Sequence, residues 1–223
     1  MIRWLLGHDT PALNEAEICT PAERADGQRF RHPGRRRQWL LGRATAKTLI
    51  LRHVRESGRP IEDPRRLSIL TAGSGTPRVI LDDTELPLSL SISHSGDTAL
   101  CAVCQRERGR LGVDIERVEP RSAAFASDYF TRRELELAES LDREGRDFAL
   151  TLFWCAKEAV LKALGTGLGR DPREVEVLAL PASGNDPARS LPVKLADRPA
   201  PAVCCGRLEG MACAMAVLPE RCH

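Results

Sequence analysis

The stretch Phe153-Trp-Cys-Ala-Lys157-Glu158-Ala-Val-Leu-Lys162 belongs to a long run that contains no proline. Apolar residues surround its charges, so the run predicts a largely buried helix over 145–164. A glycine-rich turn from Gly165 to Gly169 ends this helix sharply. Strands are predicted after it over four ranges: 174–180, 191–196, 201–208 and 211–218.

The first half of the chain repeats the order of helices followed by strands. An amphipathic helix is predicted over 34–56, and a shorter helix over 21–31 begins with Thr20 as N-cap and Pro21 at its first position. The remaining predicted elements are strands over 2–7, 67–71, 78–81, 88–93, 98–104 and 110–116, and helices over 121–129 and 131–141.

Two groups of helices, each followed by strands, predict an α+β fold with two similar halves in one chain. The predicted halves are residues 1–108 and 109–223. The octapeptide 44–51 faintly echoes the octapeptide 157–164, but this echo is too weak by itself to establish a repeat.

The composition is typical of a soluble globular protein. Of the 223 residues 42% are hydrophobic and 29% are charged, and no apolar run approaches the ~20 residues that span a bilayer. The chain becomes polar too soon after its start for a signal peptide, so we expect a cytoplasmic protein without a membrane partner. Its eight cysteines are then expected to be reduced.

Cys101 and Cys104 form a CxxC pair, which suggests a zinc or redox site. They lie in a predicted buried strand, where positions three apart face opposite sides. The sequence offers no second CxxC pair and no paired histidine motif to complete a tetrahedral site. We therefore expect buried, inert thiols, here and at Cys204, Cys205 and Cys213.

The charge is unevenly distributed along the chain. Residues 1–110 carry 18 basic and 13 acidic side chains, a net charge of +5, and residues 111–223 carry 15 and 18, a net charge of −3. Only 4 of the 33 basic residues are lysines, and two of these, Lys157 and Lys162, lie in the stretch quoted above.

Two acidic motifs are candidates for chemistry. On a predicted strand, Asp114 and Glu116 project from the same face, and paired carboxylates there suit Mg²⁺. A solvated strand end is the alternative. On the predicted helix, Glu158 and Lys162 are four residues apart and share a face, which is consistent with an ordinary surface ion pair or with two parts of an active site.

Two further groups suggest phosphate binding. In Ser91-Ile-Ser93-His94-Ser95-Gly96, hydroxyl groups and a glycine surround a histidine, and no nucleophile-elbow motif is present. The second group is a basic stretch in the first half, for which a solvated helix face is the alternative. A nucleic-acid partner is not expected, because aromatic residues do not interleave with the basic ones. This basic stretch comprises Arg24, Arg29, Arg31, Arg35, Arg36, Arg37, Arg43 and Lys47.

Taken in order, these segments resemble a family, the 4′-phosphopantetheinyl transferases of the Sfp (surfactin) type. The matching features are a basic helix, Gly-x-Pro, Ser-x-Ser-His-Ser, Gly-Val-Asp-x-Glu and Phe-Trp-Cys-x-Lys-Glu-Ala-x-x-Lys-Ala-x-Gly. The resemblance covers about residues 20 to 169. It implies two similar α+β halves with coenzyme A in the cleft between them, and transfer of phosphopantetheine to a serine of an acyl or peptidyl carrier protein. A monomer is expected.

The resemblance also implies site residues. Asp114, Glu116 and Glu158 would hold Mg²⁺, and Glu158 would accept the serine proton. The implied coenzyme A ligands are Lys157 and Lys162 at the phosphates, and Ser93, His94, Arg35 and Arg43 around the 3′-phosphate.

The sequence departs from the family pattern at Thr76, where many relatives have a lysine, and Arg78 is the candidate to replace it. Three alternatives stay open at this point. They are a Mg²⁺-dependent nucleotide or coenzyme A hydrolase, an arginine-rich nucleic-acid-binding module, and a family member that only binds coenzyme A.

Overall fold

The computed structural model describes residues 1–56, 58, 61–71, 75–181 and 189–219. The chain divides into two units, Met1–Gly109 and Arg110–His223. Among the described helices, none combines the length and the apolar character of a membrane span.

The first unit packs one long helix on an antiparallel sheet. In this sheet β6 lies between β1 and β5, and α3 covers it through contacts with all three strands. A second sheet has the order β2-β3-β4. The elements are β1 (Arg3–His8), α1 (Glu15–Ile18), α2 (Pro21–Gly27), α3 (Pro33–Glu56), β2 (Leu67–Thr71), β3 (Pro77–Leu81), β4 (Thr84–Glu85), β5 (Leu88–Ser95) and β6 (Thr98–Gln105).

The second unit has the same plan. Its main sheet has the order β7-β12-β11-β9, and α6 packs on β7 and β12. A small sheet pairs β8 with β10. The elements are β7 (Arg110–Glu116), α4 (Ala123–Tyr129), α5 (Arg132–Glu139), α6 (Arg143–Leu164), β8 (Val175–Val177), β9 (Arg189–Ser190), β10 (Val193–Leu195), β11 (Ala202–Leu208) and β12 (Met211–Leu218).

In both units the first strand pairs with the last strand, which in turn pairs with the strand before it. The long helix of each unit covers that sheet. The predicted α+β class with two similar halves is therefore confirmed. The first half is expected to bind the coenzyme A phosphates and the second to hold Mg²⁺ and the catalytic helix, and these assignments remain predictions.

A buried lysine anchors the long helix in each unit. In α3, Lys47 Nζ lies 2.6 Å from Glu23 Oε2 and 3.1 Å from the Pro64 carbonyl. In α6, Lys157 Nζ lies 2.9 Å from Glu134 Oε1 and donates to the Pro172 carbonyl at 3.1 Å. The echo between the octapeptides 44–51 and 157–164 pairs Ala44 with Lys157. The structure instead makes Lys47 the counterpart of Lys157, so the two helices align in a different register.

The acceptor carboxylates are also equivalent. Glu23 and Glu134 both close capping boxes at the starts of short helices, with Thr20 and Thr131 as the N-caps. Each carboxylate also accepts a backbone N–H from the neighbouring strand, Ile69 N at 3.0 Å and Val177 N at 2.8 Å. The Thr-x-x-Glu spacing is the sequence signal for this arrangement.

Several predicted boundaries differ from the structure. The helix predicted over 21–31 ends at Gly27, and the strand predicted over 174–180 covers only Val175–Val177. All seven described cysteines are free, and Cys204 is the exposed one among them. The prediction that Cys204 is buried is wrong, because alternate residues of β11 face outward.

Candidate functional site

The first candidate site lies where α6 crosses β7 at very short range. A Cβ atom at Gly112 would lie 1.8 Å from the Ala159 carbonyl oxygen and 2.7 Å from Ala163 N. Glycine is therefore required here, because the helix backbone occupies the space of a side chain. The side chains of Asp114 and Glu116 follow on the same face of the strand as Gly112.

Asp114 and Lys162 join the strand to the helix. Lys162 Nζ lies 2.7 Å from Asp114 Oδ1 and donates to the Val113 carbonyl at 3.1 Å. The Asp114 side chain is 5% exposed and that of Lys162 is 28% exposed, so the pair is shielded from water on the strand side. The ion pair of Lys162 is thus with Asp114, rather than the simple helical pair with Glu158 that its spacing allowed.

Glu158 lies one turn before Lys162 on α6. Burial raises its pKa above the ordinary value, Lys162 opposes this, and the negative charges of Asp114 and Glu116 raise it further. Within the described residues, its buried Oε1 atom has no hydrogen-bond partner. The negative charges of Asp114 and Glu116 thus both act on Glu158, and this excess of negative charge favours a cation.

These carboxylate oxygens fit Mg²⁺, which usually binds one or two protein carboxylates and completes its coordination with water and substrate phosphates. In the described part of the chain, however, no three histidine, cysteine or acidic side chains already stand close enough to hold a metal ion.

Lys157 is placed differently from the prediction. Its side chain is fully buried, and Glu134 Oε1 and the carbonyls of Pro172 and Val175 surround its ammonium group. Burial lowers the pKa of Lys157, and the charge of Glu134 opposes this. The predicted phosphate contact is not compatible with this position, because an ammonium held inside the core by three oxygens does not reach a ligand at the surface.

A second candidate site is a cavity of about 360 Å³ in the first unit. Arg43 and His94 line it, so the structure brings these two predicted phosphate ligands together. Arg43 is 7% exposed, and its guanidinium carbon lies 5.2 Å from the centre of the Trp39 ring. The other lining residues are Asp26, Arg29, Phe30, Trp39, Gly42, Thr71, Gly75, Pro77 and Ile92.

Three other predicted ligands are not among the residues that line this cavity. Arg35 lines a separate cavity of about 460 Å³ at the start of α3. Arg78 is bound by the carboxylate of Glu85, on an exposed part of β3. Ser93 is buried in β5, where it projects to the face opposite that of His94.

Comparison with known proteins connects this geometry to a family. The model of the 4′-phosphopantetheinyl transferase superfamily matches residues 110–202, a range that includes Asp114, Glu116, Glu158 and Lys162. The chain is also 31% identical over 204 residues to the 4′-phosphopantetheinyl transferase HetI of Nostoc sp., a match that spans 88% of this chain and 78% of that protein. The chain belongs to the 4′-phosphopantetheinyl transferase superfamily.

Other members of the superfamily match less of the chain. The transferase Sfp of Bacillus subtilis is 27% identical over 152 residues, which cover 68% of this chain and 62% of Sfp. A holo-[acyl-carrier-protein] synthase of Streptococcus pyogenes is 40% identical over 65 residues, 29% of this chain and 55% of that enzyme. Both of these matches span less than two thirds of the relative.

Sequence reasoning missed two features of these sites in this superfamily member. One is Glu23, whose buried carboxylate has Oε1 3.9 Å from Arg43 Nε. The other is Trp39, whose ring centre lies 5.2 Å from the guanidinium carbon of Arg43. The capping box at Thr20 was the available signal for Glu23. Nothing in the sequence pattern distinguished Trp39 from a core residue.

Proposed function

We propose that this protein transfers the 4′-phosphopantetheine group of coenzyme A to a serine hydroxyl of an acyl or peptidyl carrier protein and releases 3′,5′-ADP. The observation that carries this proposal is that Lys162 of α6 contacts Asp114 of β7 at 2.7 Å, one helical turn after Glu158, within the segment that the superfamily model matches. We further propose the Sfp type, because the duplicated α+β plan lies within one chain.

Asp114, Glu116 and Glu158 would hold Mg²⁺, which when bound offsets negative charge on a pyrophosphate. Lys162 contacts Asp114 in the structure, and because its side chain is partly exposed, its ammonium group would also bind a phosphate oxygen. Both interactions stabilise the charge that develops during phosphoryl transfer.

Glu158 is the proposed acceptor of the serine proton. Its raised pKa makes it a stronger base than an ordinary glutamate, and its Oε1 atom has no hydrogen-bond partner among the described residues. The bond from the serine oxygen to the β-phosphorus forms as the bond to the 3′,5′-ADP oxygen breaks.

Arg43 and His94 are the proposed ligands of the 3′-phosphate. They line one cavity, and a largely buried guanidinium forms strong charge-assisted hydrogen bonds with phosphate. Arg35 and Ser93 stay proposals of lower rank, because they do not line this cavity. We also propose that the protein acts as a cytoplasmic monomer.

The experiment is to incubate the protein with coenzyme A, Mg²⁺ and a panel of apo-carrier proteins, and then to measure the mass of each carrier. We expect at least one carrier to gain a single phosphopantetheine group. Free phosphopantetheine with every carrier unchanged would instead identify a hydrolase.

A further inference from the structure

The two units offer an internal comparison at their capping-box glutamates. Glu23 and Glu134 are both fully buried, and each neutralises a buried lysine of the long helix. One lysine per carboxylate is therefore sufficient to anchor the helix, as the second unit demonstrates.

The first unit adds a second cation to this arrangement. Arg43 lies four residues before Lys47, and its Nε atom is 3.9 Å from Glu23 Oε1. The corresponding position in the second unit, four residues before Lys157, is Phe153, which is wholly buried in the apolar core. An apolar residue thus serves the packing at this position, and the charge of Arg43 requires another explanation.

The surroundings of Arg43 only partly satisfy its guanidinium group. Thr71 Oγ1 lies 3.5 Å from one terminal nitrogen, and within the described residues the buried Nε atom has no hydrogen-bond partner. Burial lowers the pKa of Arg43, and the charge of Glu23 opposes this. Arg43 lines the cavity, and the contact of its terminal nitrogen with Thr71 is a long one, so its guanidinium suits an anion that the cavity admits.

We propose that Glu23 is a positioning residue, whose buried carboxylate holds the Arg43 guanidinium at the cavity wall in the orientation that binds a phosphate group. Thr20 N, Ile69 N and Lys47 Nζ fix the carboxylate at 2.8, 3.0 and 2.6 Å, so it is a rigid support. This inference rests on the proposed function, in which Arg43 meets the 3′-phosphate of coenzyme A.

The test compares two variants at equivalent positions, Glu23→Gln and Glu134→Gln. Titration calorimetry measures the association constants of each variant for coenzyme A and for dephospho-coenzyme A. The ratio of the first constant to the second isolates the contribution of the 3′-phosphate to binding. We expect Glu23→Gln to lower this ratio roughly fivefold or more, the size of a coupling between neighbouring charged side chains. The ratio should remain unchanged in Glu134→Gln, although both variants lose the same kind of buried ion pair.

An unchanged or raised ratio in Glu23→Gln would overturn the proposal, because loss of a nearby negative charge without loss of position can only strengthen phosphate binding. If Glu23→Gln does not fold, the double variant Glu23→Gln/Lys47→Met removes both buried charges, and the same fall is expected. Arg43→Ala distinguishes the proposed function of Arg43 from its proposed positioning by Glu23. A normal ratio in Arg43→Ala contradicts the proposed function of Arg43, whereas a low ratio there and a normal one in Glu23→Gln contradicts only the positioning.

Discussion

Lys162 Nζ lies 2.7 Å from Asp114 Oδ1, and this contact joins helix α6 to strand β7. Asp114 is nearly inaccessible, so the partly exposed lysine supplies the positive charge that the buried carboxylate needs. In the proposed mechanism Mg²⁺ would be held partly by Asp114, and it would leave the ammonium group of Lys162 available for a phosphate.

The first prediction follows from the proposal that Lys162 and Mg²⁺ both neutralise Asp114. Lys162→Ala should lower the melting temperature in EDTA, because Asp114 loses its cation, and added Mg²⁺ should restore part of the loss. Differential scanning fluorimetry measures both, with Lys194→Ala on the exposed side of β10 as control. A loss of stability that Mg²⁺ leaves unchanged would argue against a metal at Asp114.

The second prediction concerns Glu158. Glu158→Gln keeps the shape of the side chain but removes the proton acceptor and one metal ligand, so we expect turnover to fall by about 10² or more while coenzyme A still binds. Glu144→Gln, at the exposed first turn of the same helix, is the matched control and should be normal. Near wild-type transfer by Glu158→Gln would remove this residue from the mechanism.

The third prediction concerns the close contact of α6 with β7. Gly112→Ala places a Cβ against the helix backbone, which has no flexible side chain to move aside, and should destabilise the protein by about 1–3 kcal/mol or more. Urea unfolding measures this. Gly169→Ala meets no atom within 4 Å and should change stability far less. Equal stability of the two variants would contradict the packing.

The fourth prediction concerns Lys157 and Lys47. Lys157→Met leaves the buried Glu134 carboxylate without its cation and should cost about 3–5 kcal/mol. Lys47→Met should cost less, because Arg43 Nε remains 3.9 Å from Glu23 Oε1. The double variant Lys157→Met/Glu134→Gln should recover much of this loss, again by urea unfolding. A Lys157→Met variant of normal stability that had lost only coenzyme A affinity would restore the predicted phosphate contact.

The fifth prediction concerns thiol reactivity. Burial raises the pKa of Cys19 and Cys205 to about 11 and that of Cys213 to about 12. At pH 8 these thiols are therefore protonated, and a protonated thiol is unreactive. Native protein should therefore react with a thiol reagent at Cys204 and not at these three, as peptide mapping would establish. Labelling of Cys213 at the rate of Cys204 would contradict its burial.

Much of the fold could be predicted from the sequence because caps, glycines and prolines mark where its elements begin and end. The helices predicted over 34–56 and 145–164 correspond to α3 (Pro33–Glu56) and α6 (Arg143–Leu164), and turn residues separate the strands between them. The short strands β4 and β9 were missed because two residues carry no periodic signal.

The site was predictable in part for a similar reason. Asp114, Glu116, Glu158 and Lys162 have fixed spacings on one strand and one helix, so local geometry determines their faces. The burial of Lys157 depends instead on Glu134, 23 residues earlier, and on the carbonyls of Pro172 and Val175, which no local pattern reveals. Arg35 and Arg43 lie eight residues apart on α3, so about 12 Å of helix separates them and they line different cavities.

The most direct test of the proposed transfer is the intact mass of an apo-carrier protein after incubation with coenzyme A, Mg²⁺ and this enzyme. We predict a gain of one phosphopantetheine group, abolished by EDTA, by Asp114→Ala in the enzyme, and by serine to alanine replacement in the carrier. A carrier of unchanged mass across the panel of apo-carriers, with folded enzyme and coenzyme A bound, would contradict the central claim.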